Sequence, residues 1–396
     1  MKKRFIIFLL LFSPIFLFST PYSKISLLNG LTFYYFPSTG NSSKISILLK
    51  RSIFEDLDFK SGIRDITFEI LKEDLEDSLS KIAEVKKINF SGDSMGVEID
   101  INVENKGIPV LFLILKNTFS DFRFGEDVFK RVKDRLSLRI LNKSEDPFLR
   151  LDRICRKNFY LCGDCGILND YRVLEEITPY DVYRYSKAFL NPASITILFK
   201  GKIKGVKPYI FASRYFGLLI KKRKKKYSLI KNLKRKREIF VGNSDLSLLY
   251  FELPSINSDD YIFSKVFEIF FLKEFKKKFK PIRLKRVFLP DSQIVEIFLD
   301  NFDKKDLFKF LENFELDGVM LSYSKEKFKE ELKHIKKDDF LFIKYCKKMG
   351  ITPFILKSMM DYTDSIRFED MKYIQEKYFS IKNFYFIFAE GKNGKK

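Results

Sequence analysis

Two segments of the chain carry the same run of features, 189 residues apart. Residues 177–202 read ITPYDVYRYSKAFLNPASITILFKGK, and residues 366–392 read IRFEDMKYIQEKYFSIKNFYFIFAEGK. Each opens on a helix with an Asp near its start (Asp181, Asp370) and ends that helix on aromatic residues. A short turn follows, then a strand and a Gly, with one extra residue before the final Gly in the second copy. An early carboxylate complements the free amides of a helix N-terminus, and a β-branched or aromatic run suits a strand. Two halves that close on the same helix–strand unit predict two copies of one α+β domain. The length of 396 residues agrees, being too long for one ordinary core.

The remaining periodicity fills in each copy. Residues 24–36 read as a hairpin turning at Asn29-Gly30, and 44–50 and 97–103 read as strands. Helices are predicted over 108–118, 126–141, 148–158 and 178–189, then a strand over 194–199. In the second half, strands are expected at 246–253, 293–300 and 318–322, and helices at 259–280, 304–314 and 324–345. Strands with hairpin signals alternating with helices predict antiparallel or mixed sheets covered by helices. The divisions expected are 1–20, 21–205 and 241–396, with 206–240 as a basic interdomain linker.

Lys2, Lys3 and Arg4 precede an apolar run over 5–18, with Ser19 and Thr20 after it. That is the pattern of a signal peptide over 1–20, and it places the mature chain in the periplasm or outside the cell. An uncleaved membrane anchor is the other reading. Forty-five Phe, no Trp and abundant Ile and Lys fit AT-rich coding, so the formal charge of +22 does not by itself name a polyanionic partner. The run of Lys and Arg over 221–237 reads as a solvated linker. No series of stacking aromatics accompanies it, Tyr227 standing alone, which argues against nucleic acid and leaves peripheral membrane contact open. Cys162 and Cys165 form a CxxC without a thioredoxin-like context, so a structural disulfide or an idle loop is expected there. His334, the one histidine, sits among charged residues and reads as a solvated helix position.

One stretch remains, residues 61–71, SGIRDITFEIL. Ile63, Ile66, Ile70 and Leu71 fall on one helical face, while Asp65 and Glu69, four apart, project together from the other. Two carboxylates alone are too few for a hard cation.

In this setting the chain resembles the insulinase/pitrilysin-type zinc peptidases and the subunits of the mitochondrial processing peptidase. The residues that carry the resemblance are Leu28-Asn29-Gly30-Leu31, then Gly62 to Glu69, then Asp146-Pro147, then Ile177, Thr178 and Asp181, and last Asn191, Pro192 and Gly201. The resemblance implies a two-domain metallopeptidase half-chamber. It also exposes departures. In that family a His-x-x-Glu-His helix holds zinc and the Glu activates water. Here Asp65 and Glu69 stand at the two His positions and Phe68 at the Glu. Arg139 falls where a third ligand, a Glu, is expected. Lys273 and Lys280 fall where a substrate-holding Arg–Tyr pair is expected, and the CxxC replaces a His-Pro-Tyr-Gly loop.

The resemblance therefore implies a non-catalytic member with no zinc cofactor. It would pair in a hetero-oligomer with an active insulinase-type subunit around a peptide or unfolded polypeptide. Two alternatives stand beside it: an active metalloendopeptidase with an unorthodox site, and a basic envelope-associated binding protein.

Overall fold

The computed structural model describes residues 22–51, 59–143, 146–159, 171–221, 236–242, 246–289, 292–300 and 302–390. Six strands form a first sheet: β1 (Ser23–Ser26), β2 (Thr32–Pro37), β3 (Ser42–Leu49), β4 (Val85–Gly92), β5 (Val97–Glu104) and β6 (Ile195–Gly201). Their order is β1-β2-β6-β3-β5-β4. Five form a second sheet: β7 (Glu238–Gly242), β8 (Ser247–Pro254), β9 (Arg283–Phe288), β10 (Ser292–Leu299) and β11 (Phe384–Glu390), in the order β7-β11-β8-β10-β9. β6 lies parallel to β2 and antiparallel to β3, and β11 lies parallel to β7 and antiparallel to β8. The other pairings are antiparallel. One mixed topology is thus built twice, with β1 added at the edge of the first copy.

β6 and β11 are the strands of the two segments that match in sequence, and the helices before them are α6 (Pro179–Phe189) and α13 (Phe368–Tyr378). The Asp of each copy does the same work. Asp181 Oδ2 accepts from the Thr178 amide at 3.0 Å, and Asp370 Oδ2 accepts from the Arg367 amide at 2.7 Å.

The other helices of the first half are α1 (Ile63–Ser80), α2 (Ile108–Ser120), α3 (Glu126–Lys143), α4 (Pro147–Phe159), α5 (Tyr171–Glu175) and α7 (Pro208–Phe216). Those of the second are α8 (Tyr261–Phe279), α9 (Lys304–Glu312), α10 (Gly318–Lys336), α11 (Asp339–Met349) and α12 (Pro353–Ser365). Alternation along the strands sorts side chains between two faces. Ile45, Ile47 and Leu49 of β3 join the core made with α1, α2 and α3, whereas Leu48 joins the other side. In the second half, Phe271 of α8 has Phe251, Phe275, Phe314, Phe379 and Phe384 within 5.7 Å between ring centroids, which is where much of the phenylalanine is spent.

The far face of each sheet is covered by a helix from the opposite half. Leu151, Cys155 and Phe159 of α4 pack on Leu248, Tyr250, Ile294, Phe298 and Ile387 of the second sheet. Phe340, Phe342 and Ile343 of α11 share a core with Tyr34, Phe36, Leu48 and Leu198 of the first sheet. Asn158 ties α4 down further: its amide donates to Tyr250 Oη and to the Lys236 carbonyl, both at 2.7 Å, and its Oδ1 accepts from the Lys236 amide at 2.8 Å. Asn158→Ala is expected to cost about 2–3 kcal/mol in urea denaturation, because three bonds are lost and the Tyr250 hydroxyl is left buried. A cost near zero would mean that α4 is held by its apolar face alone.

The structure corrects three expectations. Residues 318–322 form the first turn of α10, not a strand, because Asp317 accepts from the Val319 amide at 2.9 Å and caps a helix. The helix expected over 324–345 is divided at Asp338, which caps α11 through the Phe340 and Leu341 amides. The basic stretch over 206–240 is not all linker. Ala212 and Phe216 of α7 are buried in the first core, and β7 begins at Glu238. Residues 222–235 lie outside the described residues.

Candidate functional site

The stretch at 61–71 becomes the start of α1. Gly62 precedes the helix with φ 80°, a left-handed turn that glycine adopts without strain. Ile63, Ile66, Ile70 and Leu71 are buried, as the helical spacing predicts. Glu69 is not on a solvated face, however. α3 packs against α1 through its buried stripe of Val132, Leu136 and Ile140, and its flank covers the carboxylate.

Along that flank runs a ladder of opposite charges. Arg139 Nη1 lies 2.9 Å from Glu69 Oε1, and Arg135 Nη2 lies 3.6 Å from Glu69 Oε2. Arg135 also reaches Glu73 Oε2 at 3.1 Å, and Arg131 reaches Glu73 Oε1 at 2.5 Å. The arginines recur every four residues on α3 and the glutamates every four on α1, so the two helices present matching rows. Arg139 and Glu69, both singled out by the resemblance, thus meet directly. Arg131, Arg135 and Glu73 escaped the sequence reading, although that spacing was their signal.

The neighbouring positions have other duties. Phe68 sits 6.3 Å from Phe90 of β4, ring to ring. Asp65 is half-buried one turn before Glu69. Arg64 is buried and donates to the carbonyls of Asp93 and Gly96 at 2.6 and 2.7 Å, holding the β4–β5 turn against α1. Asp93 in turn lies 3.0 Å from Lys348 of α11. On the outer side, Arg131, Asp134, Arg135, Leu138, Arg139 and Asn142 line an open depression.

The second-half candidates do not form a pair. Lys273 Nζ sits 3.4 Å from the ring centroid of Tyr323, which belongs to α10 and not to its own helix. Lys280 takes a left-handed φ of 45° and ends α8, so its backbone gives it a terminating role. His334 is exposed on α10. Cys155 and Cys346 are free, buried thiols. Burial raises both, Cys346 to about 11, so neither is a ready nucleophile. Cys162 and Cys165 lie outside the described residues. Among the described residues no three His, Cys, Asp or Glu side chains gather as a group able to hold a metal ion. A carboxylate flanked by two guanidinium groups is a poor ligand for zinc, since the cations repel a third charge and Phe68 supplies no base.

No known family's sequence pattern matches this chain, and no characterised protein matches it by sequence. Solved structures do match its fold. A peptidase M16 inactive domain from Pseudomonas fluorescens superposes with a TM-score of 0.74 at 11% identity, over 93% of this chain and 98% of that one. A protease from Helicobacter pylori gives 0.72 at 12% identity, over 93% and 99%. The periplasmic protease PqqL from Escherichia coli gives 0.72 at 10% identity, over 93% of this chain and 47% of its own length. The chain therefore has the two-sheet fold of M16-type peptidase chains.

Proposed function

We propose that this M16-type fold serves as a non-catalytic peptidase-like subunit, exported through its N-terminal segment, that works beside a catalytically competent chain of the same fold. The two would close around a peptide or unfolded polypeptide, and this chain would supply wall and not chemistry. The observation that carries the reading is the Glu69–Arg139 contact. At the position of a metal-binding helix, the ladder joins α1 to α3 by guanidinium–carboxylate bonds and needs no ion. The match to a chain described as an M16 inactive domain, and to half the length of PqqL, fits a half-chamber that depends on another half.

The test is metal content and cleavage on one sample. Protein purified after zinc-supplemented expression is expected to hold no stoichiometric zinc and to leave an unfolded casein-type substrate intact. The variant Asp65→His/Phe68→Glu/Glu69→His/Arg139→Glu is expected to take up one zinc, because it rebuilds two imidazoles, a base and a third carboxylate on helices already in contact. One zinc per natural chain together with cleavage would overturn the proposal.

A further inference from the structure

We propose that the end of α7 and the β1–β2 turn form a docking patch for an anionic lipid bilayer. Three observations converge there.

The first is a fixed cluster of apolar tips. Asn29, in the β1–β2 turn, is buried, and its amide donates to the carbonyls of Phe216 at 2.6 Å and Leu219 at 3.1 Å. Those bonds hold the turn against the end of α7. On either side of them Leu28, Leu218 and Ile220 stand out from the surface, at 101%, 85% and 81% exposure. Ile210 and Arg214 precede Leu218 by eight and four residues, so an exposed stripe along α7 runs into the cluster. Tyr209 and Val206 are exposed beside its start.

The second is charge. The two described segments that build the patch, 22–31 and 202–221, contain Lys24, Lys202, Lys204, Lys207, Arg214 and Lys221 and no Asp or Glu. No acidic residue lies between Asp181 and Glu238 in the whole sequence. A global excess of lysine does not by itself empty one stretch of acids.

The third is the combination. Protruding leucine and isoleucine side chains on segments that carry lysine and arginine but no acid suit an interface where apolar tips enter the acyl boundary and cations meet lipid phosphates. A nucleic acid would use the cations but not the aliphatic tips. No helix among the described residues is long and apolar enough to cross a membrane. This rests on no part of the peptidase-like reading and would survive its failure.

The chain has no Trp, which makes the test local. Leu28→Trp in the full chain places one indole at a fully exposed turn position, and Val319→Trp places one at an exposed position on α10. With vesicles of phosphatidylglycerol and phosphatidylcholine, the Leu28→Trp emission is expected to shift to the blue and to be quenched by lipids brominated on the acyl chain. Pure phosphatidylcholine should do neither, and salt should reverse the effect. Lys207→Ala/Arg214→Ala in that background is expected to weaken the response about 25-fold, from about 5-fold per cation near the surface. An unshifted Leu28→Trp emission would overturn the proposal. So would an equal shift from Val319→Trp, which would mean general adsorption or binding through the N-terminal apolar run. A response to single-stranded DNA in place of vesicles would reassign the patch to a polyanion.

Discussion

Glu296→Gln is expected to stabilise the protein at pH 8 and to leave it nearly unchanged at pH 5. Glu296 of β10 is fully buried on the face that α4 covers. Burial, and then the neighbouring Asp152 of α4, push its carboxyl up to about 8. Lys285 sits 2.9 Å from Asp152 and 3.5 Å from Glu296, and Arg156 sits 3.1 Å from Asp152, so Asp152 holds the closer cations and Glu296 the more distant one. Because the folded value lies above the ordinary one, the folded protein holds a proton that the unfolded chain has released. Stability must therefore fall as pH rises from about 4.5 to about 8, with a slope of up to about 1.4 kcal/mol per pH unit. Gln keeps the shape of the protonated acid and cannot ionise. The variant should lose the slope and lead the parent by about 4 kcal/mol at pH 8. Urea denaturation at pH 5, 6.5 and 8 measures this. Parallel pH profiles for the two proteins would show that Glu296 does not hold the proton.

Lys344→Met is expected to cost about 2–4 kcal/mol at pH 7 and much less near pH 3. Lys344 lies on α11 and is bonded to Glu98 and, at 2.7 Å, to Asp100 Oδ2 of β5. The three side chains are mostly buried, so removing the cation strips Asp100 of its ammonium partner and leaves Glu98 only the longer contact to Lys348 at 3.5 Å. Burial raises Asp100, but the bonds from Lys344 outweigh it and hold the carboxyl below its usual range. A depressed carboxylate contributes stability that is present above its unfolded value and lost as pH falls through the folded one. The cost of the substitution should shrink with it on acidification. Adding Glu98→Gln and Asp100→Asn to Lys344→Met should recover most of the loss. An equal cost at every pH would assign the effect to packing of the lysine stem.

These two sites are the same place in the two copies. Leu48 pairs with Glu98 across β3 and β5, and Tyr250 pairs with Glu296 across β8 and β10, when the copies are aligned on β6 and β11. Asp146 and Asp338 begin the two exchanged helices, each accepting from the amide two residues on. Six residues further stand Asp152 and Lys344. From the exchanged helix, equivalent glutamates thus meet a carboxylate in one half and an ammonium in the other. One contact weakens toward alkaline pH and the other toward acid.

Much of this architecture was legible in the sequence because local and global signals agree. The Asn29-Gly30 turn, the two helix–strand units and the apolar stripes of α1, α3 and α8 each follow a period that burial then satisfies. Where they fail, a different interaction decides. Residues 318–322, GVMLS, carry a strand-like apolar run, and the Asp317 cap starts a helix there. β4 and β9 are edge strands whose lysines and arginines blur alternation, so periodicity marks neither as a strand. At the site, Glu69 and Arg139 each stand out in the sequence, but their direct contact depends on two helices meeting, which no periodicity within one segment encodes. The exchange of α4 and α11 between halves was invisible for the same reason: each helix shows an apolar stripe without saying which sheet receives it.

That exchange sets an order on synthesis. The first sheet is complete in sequence at Gly201, yet the helix that covers its far face ends at Met349, 148 residues later. At a few to twenty residues per second, Tyr34, Phe36, Leu48 and Leu198 stay bare for about 7–30 s while the rest of the chain is made. Until α11 arrives, the nascent first half is a sheet with one greasy side, and whatever holds it in that interval governs how much protein reaches its final form.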